Sequence, residues 1–158
     1  MPTLAKYFVG IDPGQSGGLV WLNGSGEVLH CTKMPATEAD VWEWFDWVCR
    51  DGYHDKTRAV IEKVHAMPKQ GVSSTFKFGV GYGGLRMALI AAGLPFDQVT
   101  PQAWIKALGI PKKKPTETGT QWKNRLKAQA QQLFPQEKVT LATADALLIA
   151  EYCRRTYG

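Results

Sequence analysis

Apolar positions along the chain follow two different periods. Tyr7-Phe-Val-Gly-Ile-Asp12 is an unbroken apolar run that stops on a carboxylate, and it reads as a buried strand. The turn Pro13-Gly-Gln-Ser-Gly-Gly18 follows, and residues 19–22 and 28–31 supply a second and a third strand. Between these two, Asn23-Gly-Ser-Gly26 is a hairpin signal whose Asn-Gly pair favours a primed turn. The period then changes. Thr37 caps a helix over residues 38–51, in which Val41, Trp44, Phe45 and Val48 fall at i, i+3, i+4 and i+7, and Gly52 ends it. Residues 58–62 form a fourth strand and a fifth lies within 94–100. The helical stretch at 74–92 between them is long enough to be the crossover of a βαβ unit. Pro101 starts a short helix to residue 108. The segment Pro111-Lys-Lys-Lys-Pro-Thr-Glu-Thr-Gly119 breaks regularity, and helices are expected at 121–133 and 143–156. This order predicts an α/β fold without internal repeats.

Composition narrows the class. With 158 residues, 44% hydrophobic and 21% charged, residues 1–158 fit one domain with a single core. No segment approaches the roughly 18 consecutive apolar residues of a membrane helix. The start, Met-Pro-Thr-Leu-Ala-Lys, shows no targeting pattern, so a soluble, cytoplasmic protein with no membrane partner is expected. Cys31, Cys49 and Cys153 are too few and too scattered for a disulfide framework or a zinc knuckle, and are expected reduced. A net charge of +5 and a pI near 9.2 favour a polyanionic partner, because lysines and arginines that neutralise phosphates release counterions.

Candidate chemistry lies in three acids. Asp12 ends the first strand, Glu62 ends the fourth, and Asp145 falls in the first turn of the last helix. A carboxylate at the end of an apolar strand is costly to desolvate unless a cation compensates it. If the first and fourth strands are neighbours, Asp12 and Glu62 project at one rim, and a last helix packed there adds Asp145. Magnesium prefers such oxygen ligands, and a pair of ions can activate water and stabilise a leaving oxygen in phosphodiester cleavage. Taken singly, an Asp-Pro-Gly is commonly a turn, a strand-end glutamate a rim ion pair, and an acid in a first helical turn a partner of the helix dipole. Their joint order favours a metal site.

Gly10-Ile-Asp12-Pro-Gly14, Ile61-Glu62-Lys63-Val64 and Ala144-Asp145-Ala-Leu-Leu-Ile-Ala150 resemble the three successive signature segments of RuvC-type Holliday-junction resolvases, particularly their phage-encoded and organellar relatives. The resemblance spans nearly the whole chain. It implies an RNase H-like fold, with a mixed five-stranded sheet and helices on both faces. It also implies a homodimer that nicks opposed strands of a four-way junction, with two magnesium ions per site and manganese as a substitute. Asp12, Glu62 and Asp145 would then be the catalytic, metal-binding residues, and DNA recombination and repair in a bacteriophage or its host the setting. One departure stands out. The family carries a further acid or histidine three or four residues before the last aspartate, where this chain has Leu141 and Ala142. Either Thr143, Thr140, water or an acid such as Glu151 completes the site, or one metal binds weakly, or the site has been altered.

Residues for DNA are expected around these acids. His65, Lys69 and Lys77 follow Glu62 in a polar segment, and the resemblance gives His65 the position of a junction-probing residue; an ordinary loop histidine or a proton donor to the leaving group are alternatives. Lys112, Lys113 and Lys114, with Lys106 before them and Lys123, Arg125 and Lys127 after, concentrate positive charge in one third of the chain, as a phosphate clamp or a solvated face. Gly79-Val-Gly-Tyr-Gly-Gly84 lacks the lysine and hydroxyl residue of a phosphate loop. By the resemblance, Gly79, Gly83 and Ala88 pack against a second copy, and packing within one chain is the alternative. Trp42, Trp44 and Trp47 could stack on bases, but their helical spacing favours a core or an interface. Two rival functions remain. An actin-like ATPase shares the strand-turn motif but needs a second domain to close over nucleotide, so no nucleotide cofactor is expected. A junction-binding protein that has lost its chemistry would keep the fold and the basic surface.

Overall fold

The computed structural model describes residues 4–158; the first three residues of the stretch read for a targeting signal lie outside the described residues. Five strands, β1 (Tyr7–Asp12), β2 (Gly18–Asn23), β3 (Val28–Lys33), β4 (Thr57–Glu62) and β5 (Phe96–Val99), form one sheet in the order β3-β2-β1-β4-β5. β1 runs antiparallel to β2 but parallel to β4, and β4 runs parallel to β5, so the sheet is mixed, as expected.

Alternation along the strands creates two cores. Phe8, Val20, Leu22 and Val60 face α5 (Ala144–Tyr157), with α3 (Pro101–Ala107) and α4 (Gly119–Leu133) packed beyond it. Val9, Ile11, Leu19, Trp21, Ala59 and Ile61 face the opposite layer, α1 (Glu38–Cys49) and α2 (Val72–Ala91). Helices therefore cover both faces. β4, α2 and β5 make the expected βαβ crossover. Among the described residues no helix is long and apolar enough to cross a membrane, and all three cysteines are free thiols.

Differences from the sequence expectation are local. The Asn23 turn is not primed, because only Gly26 has positive φ (87°). Instead the Asn23 side chain accepts from the backbone N–H groups of Ser25 and Glu27, an arrangement its short amide favours. α1 stops at Cys49 rather than residue 51, since Asp51 adopts φ 58° and two short 3-10 turns, Arg50–Gly52 and His54–Lys56, carry the chain to β4. β3 continues to Lys33 because Gly18 and Leu19 offer it partners. α2 and α4 each begin two residues before the expected start, and the α4 entrance is closed by a capping box of Thr118 and Gln121.

Candidate carboxylate site

β1 and β4 are adjacent and in register, Ile11 opposite Ile61, so Asp12 and Glu62 come side by side where the two parallel strands end. By alternation both share the α5 face, Asp12 with Phe8 and Gly10, Glu62 with Val60. Asp145 arrives from the first turn of α5, where the helix dipole favours a negative charge.

Two glycines allow this approach. A Cβ on Gly10 would lie 2.3 Å from both the Ala146 carbonyl and the Ala150 nitrogen, so α5 rests directly on the β1 backbone. A Cβ on Gly18 would lie 2.7 Å from the Thr32 carbonyl and 3.0 Å from that of Ala142, which admits the segment leading into α5.

All three carboxyls hold their protons more tightly than ordinary acids. Burial raises Asp12 well above its usual range, the charges of Asp145 and Glu62 raise it further, and Lys123 opposes them. Burial raises Glu62 to about 7; a hydrogen bond from Trp104 opposes this and Asp145 adds to it. Asp145 is raised to about 6, again by burial, with Lys123 opposing. The site is a half-buried set of three carboxyls with one lysine beside it.

Among the described residues no three His, Cys, Asp or Glu side chains stand close enough together to hold an ion as they are placed. The donor chemistry nevertheless suits a hard divalent cation: the three acids offer only oxygen, and their mutual repulsion is the kind of strain that such a cation relieves.

Trp104, absent from the sequence expectation, is the clearest addition. Its Nε1–H donates to Glu62 Oε2 at 2.8 Å, and α3 is started under it by Pro101 and by the Thr100 cap. Its sequence signal was only that of an apolar residue in a short helix. Glu151 is not a spare ligand. Its two oxygens accept from Arg154 and Arg155 at 2.6–2.9 Å, further along α5. The hydroxyls of Thr140 and Thr143 face each other at 3.0 Å, and Leu141 is exposed.

Of the expected DNA residues, Lys123 alone acts on the carboxylates through its charge. His65 and Lys69 are exposed on the segment leaving β4 at Glu62, and Lys69 has φ 67°. Lys77 is exposed on α2 beside Phe78, whose ring lies against Gly14 of the β1–β2 turn. Lys106 is exposed on α3, Lys112, Lys113 and Lys114 are exposed between α3 and α4, and Lys127 is half-buried on α4. Gly79, Gly81, Gly83 and Gly84 sit inside α2, which removes them from any phosphate loop; a Cβ on any of them would meet nothing within 4 Å. Ala88, by contrast, is buried in this chain's own core. Trp44 is buried and donates to His30 Nδ1, whereas Trp42 and Trp47 are about two-fifths exposed.

No protein-family model matches the chain, and no curated protein matches it. Solved structures do. RuvC of T. thermophilus in complex with a Holliday junction substrate superposes with a TM-score of 0.67 at 17% identity, covering 95% of this chain and 96% of that one. A second structure of Thermus thermophilus RuvC gives 0.61 at 18% identity over the same shares. The likeness shows the fold: the chain has the RNase H-like architecture of RuvC, as the signature segments implied.

Proposed function

We propose that the protein is a divalent-metal-dependent, structure-selective endodeoxyribonuclease that resolves four-way DNA junctions. The observation that carries this reading is that Asp12, Glu62 and Asp145 share one rim of an RNase H-like sheet, each raised by burial and near enough to feel the charge of the others. Asp12, raised by burial and by the charges of both other acids, would hold the metal together with Glu62 and Asp145. The chemistry that magnesium, or manganese in its place, would supply there is activation of water and charge stabilisation at the leaving oxygen. Trp104 fixes one oxygen of Glu62 and leaves the other free. Lys123 tempers the negative potential so that a phosphate can approach. Lys106, Lys112, Lys113, Lys114 and Lys127 contribute backbone contacts that give affinity rather than sequence choice. To His65, Lys69 and Lys77, which follow Glu62 along the chain and are exposed, we assign further contacts with DNA.

Two active sites are needed for paired nicks, and α2 offers a surface for a second copy. Phe76, Val80, Met87 and Ile90 form an exposed apolar stripe at helical spacing, with Gly79 and Gly83 beside it for close backbone approach. We assign the homodimer to this face.

A second reading has its own support: the open spacing of the acids and the apolar pair Leu141 and Ala142 before Asp145 suit a junction binder without chemistry. Incubation with a labelled four-way junction, a matched duplex and a single strand, in magnesium and in EDTA, separates the two. Magnesium-dependent nicks confined to the junction support the nuclease, and tight binding without nicks supports the binder.

A further inference from the structure

Arg125 lies within the basic third of the chain, yet four of its five guanidinium N–H groups donate to partners within the protein. Its Nε and Nη2 donate to the two oxygens of Glu117 at 2.9 and 3.0 Å, a bidentate pair. Nη1 donates to the carbonyl of Pro111 at 2.7 Å, and Nη2 also reaches that of Lys112 at 3.0 Å. The same group lies 4.4 Å over the ring of Trp122, which packs on the core under α5. Glu117 in turn accepts from the Lys114 backbone N–H and donates its own to the Lys114 carbonyl. Ile110 anchors one end of the segment in the core, and the Thr118 capping box anchors the other. A stretch with two prolines and three adjacent lysines would otherwise be a flexible tether. Here its backbone is pinned at residues 111, 112, 114 and 117 while the three lysine side chains stay exposed.

Resting on the reading above that this turn contacts DNA, we propose that Arg125 is a positioning residue: it staples residues 111–118 into a preformed cradle for a DNA phosphate and contributes no charge of its own to the nucleic acid. The charge on Arg125 is neutralised by Glu117, so the electrostatic contact comes from Lys112, Lys113 and Lys114. The staple acts by lowering the ordering entropy that three mobile lysines would lose on binding. A guanidinium is required, because an ammonium at this position cannot fork to Glu117 and reach two carbonyls at once.

The test uses the full chain, Arg125→Ala, Arg125→Lys and a triple Lys112→Ala, Lys113→Ala, Lys114→Ala variant, each bound to a labelled four-way junction in EDTA across a salt series. Limited trypsin digestion reports on the turn, and thermal melting confirms that each variant folds. The proposal predicts that both Arg125 variants are cut faster by trypsin within the turn and bind about tenfold more weakly, with the salt slope unchanged. The triple variant should flatten the slope by about 2–3, the loss of up to three phosphate contacts. Overturning results are an Arg125→Lys variant that binds as the parent does, or an Arg125→Ala slope lower by about one with the turn still protected, since both mark a direct phosphate contact. If instead the triple variant keeps the full slope, the proposal falls together with the assignment of this turn to DNA.

Discussion

The indole Nε1 of Trp104 donates to Oε2 of Glu62 at 2.8 Å from a ring that is only 1% exposed. A core tryptophan thus reaches across from α3 to aim a carboxylate at the end of β4. The bond favours the charged form and works against the burial that raises Glu62 to about 7. Trp104→Phe should therefore push the Glu62 carboxyl higher still, weaken magnesium binding and move the acidic limb of the cleavage–pH profile to higher pH. A magnesium titration and a pH–rate profile check this; an unmoved limb with unchanged magnesium affinity would remove Trp104 from the site.

Stability in the absence of metal should fall with rising pH through the same groups. Glu62 at about 7 and Asp145 at about 6 lie above their ordinary values of 4.5 and 3.8, so the folded chain keeps protons that the unfolded chain has already released. The sign is negative: their contribution is most favourable below the unfolded values and is lost as pH rises towards about 7. Each kcal/mol lost lowers the melting temperature by about 2–4 °C in a chain of this size. Melting in EDTA and in excess magnesium from about pH 4 to about pH 8 measures the effect, with magnesium expected to restore stability chiefly at the upper end. A magnesium effect equal at both ends would disconnect the metal from these carboxyls.

Gly10→Ala should separate packing from helix propensity. The new methyl would fall within 2.3 Å of the α5 backbone, so α5 must lift away from β1 and carry Asp145 with it. Overpacking of this kind costs about 1–3 kcal/mol or more, and activity should fall further than stability alone explains. Gly81→Ala, off the apolar stripe of α2 and with nothing beyond its own helix within 4 Å of the new methyl, should leave the protein as stable or stabilise it by up to about 1 kcal/mol through helix propensity. Urea midpoints compare them.

Charge placed on the α2 stripe should break the proposed dimer. Met87 is 61% exposed and Val80 46%, so Met87→Glu and Val80→Glu disturb no core of their own chain. Sedimentation should show monomers that still bind a junction weakly but no longer produce paired nicks. Undiminished dimers in both variants would place the interface elsewhere.

Much of this site is legible in the amino-acid order, because a carboxylate that ends an apolar strand conflicts with burial and thereby marks itself. Asp12 and Glu62 carry that signal, and strand adjacency brings them together. Asp145 is legible only as an acid in a first helical turn; its approach depends on Gly10 and Gly18, whose role is the space they leave rather than any chemistry they offer. Trp104 and Arg125 could not be read in advance, since each acts through partners 42 and 8 residues away and looks locally like an apolar helix position and a surface cation. Glu151 shows the converse. Arginines at i+3 and i+4 engage it fully, and that spacing could have removed it from the ligand candidates at once.

The most direct test compares the parent protein with Asp12→Asn on a labelled four-way junction, in magnesium and in EDTA, scored for both binding and strand cleavage. The account predicts paired, magnesium-dependent nicks from the parent and none from Asp12→Asn, with junction binding nearly unchanged. Cleavage that persists in Asp12→Asn, or a parent that binds the junction but never cuts it, would contradict the assignment of these carboxylates to catalysis.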